Sequence, residues 1–320
     1  MKLKTRAAPL FLLAAASAAT GSTADDRCPE NRESCAAQTE QSATGEASVA
    51  ARRSGSGQES AEVDKKKKHG PLHWWLRMAD KVEASQPDWL SPLATTSGRL
   101  KQEFRYDLYD QPAAAGNRQY LLGGSRGVEL IAGPRTQILL GVPTYTLQSP
   151  NGPPAGFGDL PLQMKFRIAS AERNEGNYLL TFYLSATAPT GAHRYGAGDG
   201  TVTPSLAFGK GWRKFDVQST LGANLPTGHT ARLGRQIQWN TALQYRAGWK
   251  LWPELEANTT FYETGRNAGA KQLFLTPGVG FGRVHINDRF RFSSAAGMQI
   301  AATRFHTYNH RWIFSERISF

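Results

Sequence analysis

From Ser97 to Phe320 the chain repeats with period two, and this constrains its fold more than any other feature. In 215–225, Phe215, Val217, Leu221, Ala223 and Leu225 alternate with Asp216, Gln218, Thr220 and Asn224. In 235–247, Ile237, Trp239, Leu243 and Tyr245 alternate with Gln238, Asn240, Gln244 and Arg246. Phe290, Phe292, Met298 and Ile300 stand against Arg289, Arg291, Ser293 and Gln299. Successive side chains of a strand point to opposite faces, so such a pattern builds a sheet with one apolar and one polar face. Alternation alone does not say which face is inside. A soluble sandwich buries the apolar face, whereas a membrane barrel turns it to lipid.

Three observations favour the barrel. The periodic runs are about 10–14 residues, long for a sandwich and suited to a tilted membrane span. Aromatic residues gather near their ends, as in the girdles of membrane barrels. The connections alternate between short and long. The expected fold is therefore all-β: a transmembrane antiparallel up-and-down β-barrel of about 12 strands. Its strands fall at 99–109, 119–132, 135–147, 158–170, 177–189, 201–209, 213–225, 235–247, 250–264, 271–283, 288–301 and 306–320. An even count puts both barrel ends on the short-turn, periplasmic side. Ala188-Pro189-Thr190-Gly191 recurs as Leu225-Pro226-Thr227-Gly228, and both copies fall at outward strand ends, where Pro is tolerated.

The segments before the barrel differ. Residues 1–24 carry Lys2, Lys4 and Arg6, then an apolar run and small residues up to Ala24. This is the plan of a secretory signal peptide cleaved near Ala24, and it is too short to span a bilayer. Residues 25–68 lack aromatics and end in Lys65–Lys68. Their composition cannot build a core, so a disordered periplasmic extension is expected. Cys28 and Cys35 lie in it and could form a small disulfide in an oxidising compartment. Two cysteines without a histidine pair are a poor metal site. Residues 69–96 contain Trp74, Trp75, Leu76, Met78, Val82 and Trp89. They read as a short amphipathic helix, packed on the barrel end or serving as plug or linker. The barrel itself is assigned to 97–320.

In this register Lys101, Arg105, Lys165, Arg167, Arg246, Arg289 and Arg291 face inward, with Glu103, Asp107, Glu129, Asp216, Glu254 and Glu256. Seven bases facing six acids could fill a narrow lumen with ion pairs or line a hydrophilic pore. An enzyme would need a nucleophile and a base. His306 and His310, with Ser293 or Ser315, are the candidates, yet no nucleophile motif surrounds them. No catalytic residue, cofactor or metal is assigned. The net charge of +12 fits nucleic acid in principle, but export argues against that partner. Lipopolysaccharide phosphates or anionic solutes fit better. In the last strand Trp312, Phe314, Ile318 and Phe320 face lipid and form a terminal signal for barrel-assembly machinery. Glu316 is the exception on that face and is expected near the periplasmic rim, where a carboxylate costs little.

Four segments resemble a known family: GFGDLPLQMKFRI (156–168), NYLLTFYLSATAPTG (177–191), FGKGWRKFDVQSTLGANLPTG (208–228) and FHTYNHRWIFSERISF (305–320). They are similar to the outer-membrane transporter family often labelled the meta-pathway of phenol degradation family. The resemblance covers about 97–320. It implies an outer-membrane barrel with a suggested role in uptake of small compounds, aromatic ones among them, and it supplies no catalytic residues. The expected function is a passive channel or transporter for small aromatic or anionic solutes, in contact with outer-membrane lipid and lipopolysaccharide. The alternatives are a lipid-modifying barrel enzyme and a structural barrel without transport.

Overall fold

A computed structural model describes residues 70–320 other than 114, 115, 125 and 150. The leader, the extension to residue 68 and the Cys28–Cys35 pair lie outside the described residues. The chain begins with helix α1 (Pro71–Ala84), started by a proline in its first turn. Strands follow: β1 (Glu103–Pro112), β2 (Arg118–Gly123), β3 (Gly127–Gly133), β4 (Thr136–Gly141), β5 (Tyr145–Ser149), β6 (Gly156–Phe157), β7 (Leu160–Ala171), β8 (Tyr178–Ala188), β9 (Thr201–Trp212) and β10 (Phe215–Pro226). After the short helix α2 (Thr230–Leu233) come β11 (Gln236–Tyr245), β12 (Leu251–Tyr262), β13 (Lys271–His285), β14 (Arg291–Ala301) and β15 (His310–Ser319).

All pairings are antiparallel, and β15 pairs with β1 to close the ring. The second and third spans are each broken once, into β2 and β3 and into β4 and β5, and β6 continues into β7. Counted as spans, the described residues form a closed barrel of twelve. The break at Gly123-Gly124 follows from two left-handed glycines (φ 95° and 58°), a conformation other residues rarely adopt. Closure pairs Phe104 with Ile318 and Leu108 with Phe314, so no edge is left open.

The faces are inverted relative to a soluble protein. Large apolar side chains cover the outside, including Met164, Phe166, Phe182, Phe208, Leu221, Trp239, Leu255 and Phe314. The buried residues are more often polar or charged than apolar. Soluble monomers do not expose a continuous apolar belt of this extent, so the barrel spans a bilayer. No helix among the described residues is long and apolar enough to cross one. Trp312, Phe314 and Ile318 lie on the outer face. Glu316 is also outward, in the half of β15 nearer the short turns, and accepts a hydrogen bond from Ser294 Oγ (3.0 Å).

The structure corrects the start of the barrel. The first strand begins at Glu103, not at residue 97 or 99. Leu100 and Lys101, which fall within the expected first strand 99–109, precede it, and both are buried. Residues 86–102 instead run through the lumen as an irregular segment, with α1 at the short-turn end. There Trp75 Nε1 donates to the Ile131 carbonyl (2.7 Å) and Arg167 Nη1 donates to the Val82 carbonyl (3.0 Å). Arg246 lies one residue beyond β11, and Arg289 lies in the turn before β14 rather than in the strand.

Candidate functional site: a lumen filled by the chain's own segment

Residues 86–102 are held by side chains from strands all round the barrel. From β12, the Glu256 carboxylate accepts from the amides of Ala94 (2.8 Å) and Thr95 (2.6 Å). From β1, Arg105 donates to the carbonyls of Pro92 (3.1 Å) and Leu93 (2.6 Å). From β15, Arg317 donates to the carbonyls of Ser91 and Pro92, the latter at 3.1 Å. Arg105 and Arg317 are directly opposed in the β1–β15 register. Two like charges in that arrangement repel. Asp107 offsets them: it pairs with Arg105 at 2.8 Å and with Arg126 at 3.1 Å. One wall thus presents guanidinium donors to carbonyls, and another presents a carboxylate to amides. The turn at 91–95 is fixed through its backbone.

Neutral side chains complete the anchoring. Gln218 on β10 accepts from Ser97 Oγ (2.9 Å) and donates to the Leu90 carbonyl (3.0 Å) and to Asp216 (3.0 Å). Gln137 on β4 accepts from the Lys101 amide (2.6 Å), and Thr181 on β8 donates to the Gly98 carbonyl (2.8 Å). Within the segment, Gln86 bonds both backbone groups of Leu100. The Arg99 guanidinium donates to the Trp89 carbonyl (2.6 Å).

Apolar anchors fit against glycine. A Cβ at Gly209 would come 2.5 Å from the Trp89 ring, and one at Gly211 would come 2.7 Å from its Nε1. Cβ atoms at Gly278 and Gly297 would come 2.5 and 2.6 Å from Leu93 Cδ1. Gly280 stands likewise against Leu90. Glycine inside a strand marks such a close approach. Leu93 also packs with Tyr109, Ala295 and Ile313 in a small apolar cluster.

The inward residues expected from sequence separate into two groups. Lys101, Glu103, Glu129 and Lys165 form one buried network. Lys101 pairs with Glu103 and with Glu129 (3.4 Å), and Lys165 pairs with Glu129 (3.3 Å). Arg105, Asp107, Arg167, Asp216, Glu254 and Glu256 are also buried, and Glu254 accepts from Gln244 (2.6 Å). Arg246, Arg289 and Arg291 are only partly covered at the short-turn mouth. Their partners there are Asp88 (3.9 Å), Asp80 (3.6 Å) and Glu83 (3.0 Å), all carried by the segment or by α1. Sequence reasoning missed Arg317, Gln137 and Gln218 as segment holders, together with the inward glycines. Their alternation places them inward, but nothing in the sequence marks their partner as residues 86–102.

Toward the long loops, Arg311 lies between the rings of Tyr109 (4.5 Å) and Tyr308 (4.6 Å), and Tyr308 stacks on Phe274 (4.4 Å). Burial pushes the Tyr308 hydroxyl up to about 12. The histidine–serine pairs considered for catalysis are not assembled. His306 bonds Thr303 and Asn309 in the loop before β15. Ser315 accepts from Arg317 Nε (3.1 Å), and Ser293 sits opposite Arg317 in the β14–β15 register. Among the described residues no cluster of metal-ligating side chains occurs.

No curated protein matches the chain in sequence. Among solved structures, it is similar to an outer membrane channel from Pseudomonas putida F1. That match has 14% identity and a TM-score of 0.47, and covers 72% of this chain and 100% of the other. It is also similar to the NanC porin, with 6% identity and a TM-score of 0.45, over 67% of this chain and 98% of the other. Residues 109–313 match the family described as "Putative MetA-pathway of phenol degradation". The match spans most of the barrel, and the chain belongs to that family.

Proposed function

We propose that the protein is an outer-membrane channel for small solutes, closed by its own residues 86–102 and conducting when that segment leaves the lumen. The observation that carries this reading is the chemistry of the contact. The segment is held largely by hydrogen bonds between its backbone and polar wall side chains such as Glu256, Arg105 and Arg317. Water can replace these bonds one for one, at a net cost of about 1.5–3 kcal/mol each for bonds to charged groups. A barrel core meant to stay closed would be better served by apolar packing. The wall left behind is polar and suits a hydrated path. Twelve strands enclose more than the side-chain-filled interior of eight and less than the open channel of sixteen.

Lipid and lipopolysaccharide would meet the apolar belt, and barrel-assembly machinery would receive β15. Anionic solutes are favoured over cations by the arginines at the short-turn mouth. The reading is tested in planar bilayers with a reversible lock. A Cβ at Gly98 would lie 3.0 Å from that of Ala207 on β9. Gly98→Cys with Ala207→Cys, in a Cys28→Ser, Cys35→Ser background, would tie the segment to the wall. Conductance steps under reducing conditions and silence after oxidation are expected. If neither the reduced double variant nor a chain lacking 86–101 conducts, the barrel is structural.

A further inference from the structure

At the short-turn mouth a cavity of about 440 Å³ opens beside residues 246–250 and 282–285. Its charged lining is unbalanced. Arg246, Lys250, Arg283 and Arg291 border it, and Asp88 is its one carboxylate among the described residues. Arg283 is brought inward by a β-bulge between Gly282 and Val284. Such bulges re-aim a side chain that regular alternation would point to lipid. Arg283 pairs with Asp88 and also donates to the Trp89 carbonyl (2.7 Å). Arg246 reaches the other Asp88 oxygen at 3.9 Å while its guanidinium lies over the Trp252 ring at 5.5 Å. Arg291 is taken by Glu83 (3.0 Å), so Asp88 meets both Arg283 and Arg246 with a single charge. It belongs to the lumen segment, one residue from Trp89, which is wedged against Gly209 and Gly211.

We propose that this mouth binds a small polyvalent oxyanion, a di- or tricarboxylate or a phosphate, which displaces Asp88 from Arg283 and Arg246 and so favours release of residues 86–102. Guanidinium groups hold carboxylate and phosphate in paired hydrogen bonds, and the cavity volume is in the range of small-ligand sites. Linkage makes the effect reciprocal: an anion that binds only when Asp88 has left shifts the equilibrium toward the released state. The coupling to release rests on the reading of the segment as a gate, whereas the binding does not.

The test uses the full mature chain in neutral-lipid nanodiscs, titrated with citrate and with inorganic phosphate at constant ionic strength while tryptophan fluorescence is followed. Saturable binding is expected. Asp88→Asn should tighten it about tenfold, because the competing carboxylate is gone. Arg283→Gln and Arg246→Gln should each weaken it about tenfold. Folding of every variant is checked by heat-modifiable gel mobility. Absence of saturable binding in both the wild type and Asp88→Asn overturns the site. Loss of citrate binding in anionic-lipid nanodiscs, with headgroups holding the mouth, overturns the assignment to a soluble anion. In bilayers citrate should raise the open probability of the wild type and leave Arg283→Gln unchanged. Binding without that rise overturns the coupling alone. If no variant conducts while citrate still binds, the anion site stands and the channel reading fails.

Discussion

Single atoms on the wall decide whether residues 86–102 stay in place. Glu256 is fully buried and takes two consecutive amides with one carboxylate. Glu256→Ala should leave the amides of Ala94 and Thr95 unpaired, at about 1–3 kcal/mol for each one that stays buried. The check is amide hydrogen exchange, in which protection at 94 and 95 should fall while the strand amides keep theirs. Gly278 is the complementary case, since any side chain there meets Leu93. Gly278→Val should expel the turn and raise conductance. Adding Leu93→Ala should restore part of the closed population, because the two changes share one volume. Glu256 was legible as an inward acid because the period of two places it. Its role was not, because a strand pattern records which face a residue occupies and not what fills the space opposite.

At the scale of the elements, each strand carries two environments. Leu255 lies beside Glu254 and Glu256 near the middle of β12, yet it is half exposed while they are buried. Leu255→Arg should cost about 2–4 kcal/mol in folding into a bilayer, the range for a cation near the midplane of a lipid-facing strand. Urea titrations in lipid vesicles measure it. No penalty there would contradict the outward orientation of this face. The elements that depart from regular alternation are those the sequence hides. The spans 119–132 and 135–147 read as continuous strands but divide into β2 with β3 and β4 with β5. Arg283 points inward only because of the bulge in β13. Leu100 continues the apolar parity of β1, yet it belongs to the lumen segment and packs with Ala79, Val82 and Ile131.

For the whole molecule, charge is distributed unevenly along the axis. The mid-lumen acids and bases pair with one another, as Glu129 does with Lys101 and Lys165. At the short-turn mouth the barrel contributes Arg246, Lys250, Arg283 and Arg291, while the acids that meet them come from α1 and the lumen segment. Once the segment leaves, Asp88 leaves Arg246 and Arg283 with it. The open state should therefore prefer anions, measured as a reversal potential in a KCl gradient. Arg246→Gln with Arg291→Gln should reduce that preference, most visibly at low salt, where exposed charges are less screened.

The sequence by itself determined the barrel. An apolar and a polar face in strict alternation, over spans long enough for a bilayer and joined by alternating short and long links, leave one closed solution in lipid. It also determined the inward side of nearly every charged residue, since the side-chain period of a strand is two and a single slip would invert every face. Only the tertiary structure decided what occupies the lumen. Residues 86–102 have no period, and their partners lie up to 226 positions away in the chain, as for Arg317 and Ser91. Such contacts are set by closure of the ring, which brings β1, β12 and β15 around one short stretch of backbone and lets the inward glycines receive its side chains.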